Sequence, residues 1–566
     1  MIIKLFNFIF NYSSSKEYKK IILIFILSIV NILLQLSLII VVYFLISRFL
    51  NINDENLNFN FIGKLIYNLE YKKFIFFAFV ILFLNIIINS VYVHQSFKQF
   101  SLFTKNIEQS IFSKFIQKQY NFYKHSKSYD IVKLVIDNLP RLTLGIFYPV
   151  LILFSNFITF LTIIIALSMV NFLSTISVSI GLIILVLTIY FAVKNHISNL
   201  NKIESKSITD RANLSLNAFN SFREIKIYNL FDKINIDFNN SSNNFYNSRY
   251  KTYFFLNFPK YLIEYTFLTG ILTFFLFFDF SEKLYDSLPT IGFILMAVYR
   301  LIPCFGSTLS SLSSIRSNFI YFNIILEELN KADNEIEIFS KSNERIKIEK
   351  INLNNLNYFY GKNNIYKNFN LEISKKDKIY LRGDTGSGKS TLLDIISGLN
   401  SKFDGNLIIN GKIKLTENNV NILREKVSYT TQNPYIFEDS IKQNIILFDS
   451  EPDYEKLNEI IKIAKVDKIL SNKNINIDEK ISEKGINFSG GEKQRINIAR
   501  SLYKNFDILI LDESTNSLNE ELEEEIIKNT INFCKEKILI VCSHNTSLKK
   551  YFSKDVHIKK INNNNQ

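Results

Sequence analysis

Six apolar stretches in the first 310 or so residues constrain this chain more than any other feature. Each is long enough to cross a ~30 Å hydrocarbon layer, which takes about 20 helical residues. They run roughly 21–49, 74–93, 146–170, 172–193, 261–280 and 288–309. The first is far longer than the apolar region of a secretory signal and lacks a small-residue cleavage site, so it is expected to remain as a span. The rest of the sequence is dense in Lys, Glu, Asp and Asn, and 566 residues exceed what one core supports. The reading is a membrane domain over 1–335 and a water-soluble domain over 336–566.

Basic residues accumulate on the cytoplasmic side of membrane proteins, so the loops set the orientation. Lys16, Lys19 and Lys20 precede the first span. The loop after the second carries Lys98, Lys105, Lys114, Lys118, Lys124, Lys127, Lys133 and Arg141 against Glu108, Asp130 and Asp137. Both belong inside, whereas the uncharged turn near Asn171 and the acidic 279–286 segment belong outside. The connections 98–141 and 194–251 keep an apolar periodicity, which predicts helices that continue out of the bilayer. At about 1.5 Å per residue they reach tens of ångströms into the cytosol. Contact elements for a soluble motor are expected near Ser126–Leu134 and Ser221–Asn229, with a plain loop turn as the alternative. Glu264 and Arg300 lie inside the fifth and sixth spans, where an unpaired charge costs about 3 kcal/mol or more. They are expected to pair or to face a cavity, as a structural pair or as part of a substrate site.

The formal charge of +14 does not indicate nucleic-acid binding, because the basic residues are spread through loops rather than gathered in a stripe. The three cysteines, Cys304, Cys534 and Cys542, have neither metal-ligand spacing nor a pattern of paired bridges, which fits a reducing compartment.

In the soluble half, Lys378–Arg382 reads as a strand running into Gly383-Asp384-Thr385-Gly386-Ser387-Gly388-Lys389-Ser390 and then an apolar helix from Thr391. This is a P-loop in its required context: glycines let backbone N–H groups curl around phosphate at a helix N-terminus. Lys389 is expected on the β- and γ-phosphates of ATP, and Ser390 on Mg2+. The apolar strand 507–512 delivers Asp512 to the metal and Glu513 to the attacking water as candidate general base. A third motif, Phe488-Ser489-Gly490-Gly491-Glu492, opens a helix and offers amides and a hydroxyl to a phosphate. Five of the chain's sixteen glycines fall in these two glycine motifs, which chance explains poorly.

With these motifs in this order, the sequence resembles the ABC transporter family, whose signature is usually Leu-Ser-Gly-Gly-Gln. The resemblance implies a fold of six transmembrane helices with long cytoplasmic extensions, followed by an α/β P-loop NTPase domain. It implies that Tyr360 stacks on adenine, that Gln432 senses Mg2+ and water, and that His544 contacts the γ-phosphate. It also implies a second half-transporter subunit: Ser489, Gly490, Gly491 and Glu492 of one copy complete the site on the other's P-loop, and a homodimer would have two complete sites. Glu483 and Gly485 resemble an exporter-specific element, with Ser482 in place of its first glycine. Phe488 and Glu492 vary the signature, and Asn519 replaces an aspartate that normally helps link the two sites, which predicts weaker coupling between them. The segment Ala297-Val-Tyr-Arg300-Leu-Ile-Pro303-Cys304 is similar to one in bacterial exporters that flip lipid-linked oligosaccharides. That similarity implies an ATP-driven flippase for a glycolipid in a bacterial inner membrane, with the ATPase domain and N-terminus cytoplasmic and Arg300 on the anionic headgroup. A lipid, peptide or drug exporter is the alternative, and an ATP-gated channel-like protein with little hydrolysis is the alternative of another class.

Overall fold

The computed structural model describes residues 2–49, 70–125, 128–168, 172–277, 283–332, 346–360, 363–417, 419–481 and 488–559. They form two units. One, helical, comprises Met1–Ile116 and Lys127–Asn334; the other comprises Gln117–Ser126 and Glu335–Gln566.

In the helical unit, long helices span Ser15–Phe49, Tyr71–Ile116, Phe172–Asn220, Phe231–Phe277 and Lys283–Ala332. Among the described residues, Ser15–Phe49, Tyr71–Ile116, Asp130–Ser168 and Ile291–Asn330 are long and apolar enough to cross a membrane. The remaining expected spans, 172–193 and 261–280, fall on long helices where many side chains lie outside the described residues. The pattern on Tyr71–Ile116 explains its setting. Phe76, Phe79 and Phe83 are exposed on one face, while Phe74, Ala78, Asn85 and Tyr92 are buried on another, so one stripe suits lipid and the other the bundle. Its 46 residues make a rod of roughly 69 Å, more than twice the hydrocarbon thickness, as the periodicity predicts. Inside the bundle, Asn156 Nδ2 donates to Cys304 O at 3.1 Å and to Ser307 Oγ at 2.7 Å, one turn past Pro303. The Asp130–Ser168 stretch is not uniformly α-helical: π-helical turns occupy Leu134–Asn138 and Thr143–Phe147, on either side of Arg141.

The expected motor contact at Ser126–Leu134 requires correction. The short helix Tyr120–His125 precedes it, and residues 117–126 group with the soluble unit. Asn121 Nδ2 donates to Asn400 Oδ1 at 3.2 Å, Gln119 Nε2 donates to Glu417 Oε2 at 3.3 Å, and Lys124 Nζ lies 3.6 Å from the carboxylate of Asp394. Polar side chains make this contact, a few residues before the expected segment. The second expected element forms the short helix Phe222–Ile227, none of whose residues is buried.

The soluble unit has two sheets. The first, of order β2-β1-β4-β5, is built from β1 (Lys350–Tyr360), β2 (Asn363–Ser374), β4 (Asp404–Ile409) and β5 (Ile413–Lys414) and is antiparallel. The second, of order β6-β7-β8-β3-β9, is parallel: β3 (Lys378–Gly383), β6 (Val427–Thr430), β7 (Ile508–Asp512), β8 (Ile538–Cys542) and β9 (Lys554–Ile558). A parallel strand covered on both faces is apolar throughout, and Ile-Leu-Ile-Leu in β7 and Ile-Leu-Ile-Val in β8 have that form. Ile508, Ile510, Ile538 and Ile540 enter one core; Leu509, Leu511, Leu539 and Val541 enter the other.

Candidate functional site

Ligand sites in open parallel sheets lie beyond the carboxyl ends of the strands, and four strands here deliver polar groups to that edge. β3 runs into the P-loop, β6 stops two residues short of Gln432, β7 ends on Asp512, and β8 ends two residues before His544.

The P-loop turns on Gly386 and Gly388, at φ 78° and 102°. A Cβ at Gly388 would lie 2.6 Å from the Ile365 side chain and 3.0 Å from Tyr366 Oη, so both conformation and space require glycine. Tyr366 Oη donates to Gly388 O at 2.8 Å, and burial raises the pKa of this phenol. The helix Lys389–Ile396 follows with Gly388 as its N-cap. Lys389 Nζ folds back to donate to Gly383 O at 2.6 Å and Asp384 O at 3.3 Å. Ser387 Oγ is buried without a hydrogen-bond partner, a polar group that a phosphate oxygen would satisfy.

Asp512 is buried, and desolvation pushes its carboxyl above the usual range, while bonds from Tyr429 and Ser390 pull it back. Tyr429 Oη donates to Asp512 Oδ2 at 2.8 Å. Ser390, Asp512 and Gln432 offer oxygen ligands of the kind a hard divalent cation takes. Among the described residues no group of three or more His, Cys, Asp or Glu could hold a metal by itself. The oxygen donors of Ser390, Asp512 and Gln432 fit a hard cation such as Mg2+.

Glu513 has a left-handed backbone, φ 48°, with its N–H bonded to Cys542 O at 2.9 Å. Such strain collects at functional positions. Gln432 Nε2 donates to Glu513 Oε2 at 2.8 Å, Asn516 Nδ2 donates to the same oxygen at 3.1 Å, and His544 Nε2 lies 3.1 Å from Oε1. The carboxylate is thus held from three sides.

Ser489 caps the helix Gly490–Tyr503 in a complete capping box. Its Oγ accepts from Glu492 N at 3.3 Å, and Glu492 Oε2 accepts from Ser489 N at 2.7 Å. The unusual Glu492 therefore has a local role that glutamine would also fill. The unusual Phe488 is buried, with Lys473 Nζ 5.3 Å from its ring centre. A Cβ at Gly491 would lie 2.9 Å from Ser517 O, and Gln494 Oε1 accepts from Ser517 N at 3.0 Å, which ties this helix to the turn after Glu513. Asn519 closes that turn by capping Glu520–Phe533, its side chain accepting from Leu522 N at 3.2 Å.

The structure brings together the P-loop and a Gln432–Asp512–Glu513–His544 constellation. Tyr360 ends β1 and pairs with Asn363, but its side chain lies outside the described residues, as do Glu483 and Gly485. Glu264 and Arg300 are half-buried, and among the described residues no ion pair joins them. The sequence reading missed four supporting residues: Tyr429, Asn516, Arg500 and Glu523. Glu523 is buried and accepts from Thr515 Oγ1 at 2.6 Å, Ser543 Oγ at 3.1 Å and Asn545 Nδ2 at 2.9 Å, joining the loops that carry Glu513 and His544. Its position with Ile526, Ile527 and Thr530 on one helix face was the available signal. Arg500, whose pKa burial lowers to about 10, donates to Tyr435 O at 2.9 Å and Asn444 O at 2.7 Å and so pins the segment after Gln432.

Known proteins share parts of this arrangement. Residues 366–516 match the family described as ABC transporter. A "Probable ABC transporter ATP-binding/permease protein" of Haemophilus influenzae is 32% identical over 278 residues, which is 47% of this chain and 49% of that protein. "ABC transporter B family member 21" of Arabidopsis thaliana is 32% identical over 200 residues, 35% of this chain and 15% of that one. The chain thus spans about half the length, or less, of the curated relatives it matches. The solved structure of a bacterial Atm1-family ABC exporter with ATP bound superimposes with a TM-score of 0.76 at 15% identity, covering 94% of this chain and 93% of that one. At that identity the likeness establishes the fold: several apolar helices followed by a P-loop ATPase domain.

Proposed function

From the premise that residues 366–516 form an ABC transporter ATPase domain behind a bundle of membrane helices, we propose that this chain is one half of a dimeric exporter that uses ATP hydrolysis to move an amphipathic substrate across the bacterial inner membrane. The observation that carries this reading is the Glu513 carboxylate, fixed by Gln432, Asn516 and His544 beside Asp512 at the end of β7.

Each residue has a task that follows from its position. P-loop amides at the start of Lys389–Ile396 cradle the phosphates, and the helix dipole favours their charge. Lys389 leaves the Gly383 and Asp384 carbonyls for the β- and γ-phosphates. Ser390, Asp512 and Gln432 are the residues that would hold Mg2+, and the ion would supply neutralisation of charge on the phosphoryl group. Glu513 accepts the proton of the attacking water, and His544 meets the γ-phosphate while bracing Glu513. Tyr360 is assigned to adenine.

The second subunit supplies Ser489, Gly490 and Gly491 to the opposite P-loop. The exposed Phe222, Ile227, Tyr228 and Phe231 around the short helix Phe222–Ile227 support a dimer, because so much apolar surface on one turn of a polar extension suits a covered face. A homodimer is the simplest assembly. For cargo, the Tyr299–Pro303 segment supports a lipid-linked oligosaccharide or related glycolipid, with Arg300 and Glu264 facing it.

ATP hydrolysis by the purified protein in liposomes, with Glu513→Gln as the blank, tests the motor. Turnover above the blank is expected, and turnover equal to the blank overturns the reading. Stimulation by a polyprenyl-linked oligosaccharide tests the cargo; hydrolysis indifferent to it across a concentration series removes the glycolipid and leaves the exporter.

A further inference from the structure

The helical unit contains a polar cleft of about 260 Å3 that none of the roles assigned above uses. Arg141, Glu204, Arg249 and Asn318 line it, each from a different helical stretch. A mostly apolar pocket lined by Ile197, Phe255, Leu309 and Leu312, with Lys202 and Arg316 also in its lining, shares Asn201, Ser205, Leu256, Ser317 and Tyr321 with the cleft. The two therefore adjoin, the cleft with Arg141 and Arg249 being the cationic end and the second pocket the mostly apolar one.

The cationic end is built rather than incidental. Arg141 stands between the two π-helical turns, each of which shifts the residues after it around the helix axis, a distortion common at functional positions. Its guanidinium lies 5.0 Å from the Tyr321 ring centre, and its Nε donates to Asp137 at 2.9 Å. Tyr321 Oη in turn donates to Ser205 Oγ at 3.2 Å. Gly145, in the second π turn, allows close approach, since a Cβ there would collide with Asn318. Ser314 Oγ reaches Gly145 O at 3.2 Å. Among the described residues Glu204 is the one carboxylate in the two linings; it is pushed up by burial and pulled back by Arg249 and Arg141.

We propose that this joined cleft is the loading site for a phosphate-headed amphiphile, with the phosphate on Arg141 and Arg249 and the apolar chain along Ile197, Phe255, Leu309 and Leu312. The proposal rests on the exporter reading and moves the headgroup contact from Arg300, inside the sixth span, to the end of the bundle. Guanidinium groups suit a phosphate because their N–H pairs match its oxygens. Glu204 lines the cleft within the field of both arginines, and Asp137 already holds Arg141 Nε, so the ligand and these carboxylates oppose each other.

Equilibrium binding of dodecyl phosphate to the full chain in neutral-lipid nanodiscs, without ATP, tests the site against dodecanol and inorganic phosphate. Dodecyl phosphate is expected to bind at least tenfold more tightly than either. Arg141→Gln and Arg249→Gln are each expected to weaken it about tenfold, equivalent to about 1.4 kcal/mol. Glu204→Gln is expected to tighten it, an outcome that misfolding cannot imitate. Dodecanol binding as tightly as dodecyl phosphate, inorganic phosphate binding as tightly alone, or Glu204→Gln leaving affinity unchanged would overturn the proposal. ATP hydrolysis by the parent protein is scored separately: its absence sinks the exporter reading, whereas its presence with no dodecyl phosphate binding sinks only this site.

Discussion

Replacing Lys124 with methionine should loosen the 117–126 segment from the ATPase unit by an amount the structure allows to be worked out. Lys124 Nζ lies 3.6 Å from Asp394 Oδ2, with the lysine side chain 40% and the aspartate 9% exposed. Two unit charges at 3.6 Å attract by about 5 kcal/mol at an effective dielectric of ~20. The lysine's exposure and salt screening reduce the net value to ~1 kcal/mol. The Asn121–Asn400 and Gln119–Glu417 bonds remain in the variant, so the segment loosens without coming free. Hydrogen exchange of the amides at 120–125 should accelerate roughly fivefold. In an Asp394→Asn background the lysine substitution should add little, because the carboxylate it serves is gone.

The pH dependence has a definite sign. Burial raises the pKa of Asp394, and Lys124 offsets part of that rise. A carboxyl with a raised folded pKa costs stability as pH climbs from its ordinary range through the folded value, and the cost is complete above it. Without Lys124 the folded value is higher still. The gap between variant and parent should therefore be full above both folded values and shrink on acidification through them. Identical exchange in the two proteins, or equal effects of Lys124→Met with and without Asp394→Asn, would refute the reasoning.

Other consequences are testable with single substitutions. Glu513→Gln should lower ATP turnover about 10²-fold or more while nucleotide binding, measured by fluorescent ATP displacement, persists. Tyr429→Phe removes a bond to a buried carboxylate worth about 1.5–3 kcal/mol, and the Mg2+ concentration for half-maximal hydrolysis should rise several-fold. Glu492→Ala breaks the capping box and should cost ~1 kcal/mol, seen as a lower thermal midpoint, whereas Glu492→Gln keeps the box, loses only the Lys473 ion pair and should lower the midpoint less. Gly388→Ala should abolish ATP binding, since φ 102° and the Ile365 side chain both exclude a Cβ.

The features legible in the sequence are those fixed by a local pattern. Long apolar runs have few alternatives to spanning helices, and the P-loop and the strand ending at Asp512 announce themselves because glycine and carboxylate positions follow directly from backbone geometry. What stayed hidden depends on distant partners. Tyr120–His125 is two turns short and almost without apolar pattern, so its attachment to Asn400 and Asp394 could not be inferred from its own residues. Glu523 is camouflaged in the acidic run Glu520–Glu525, where its neighbours are solvated charges and only the helical register sets it apart. Tyr429 reads as an ordinary strand aromatic until β6 is placed beside β7. Of the departures from the family pattern, Asn519 proves to be a helix cap and Glu492 the partner of the Ser489 cap in its capping box.

The cap at Ser489 has a further consequence for how two copies would meet. In the capping box the serine oxygen uses a lone pair to accept from Glu492 N, so its hydrogen is not committed. A hydroxyl held this way is aimed before any partner arrives and keeps its proton to give. Closure of two subunits around a nucleotide would then find a donor already oriented, without first having to break a bond within the chain.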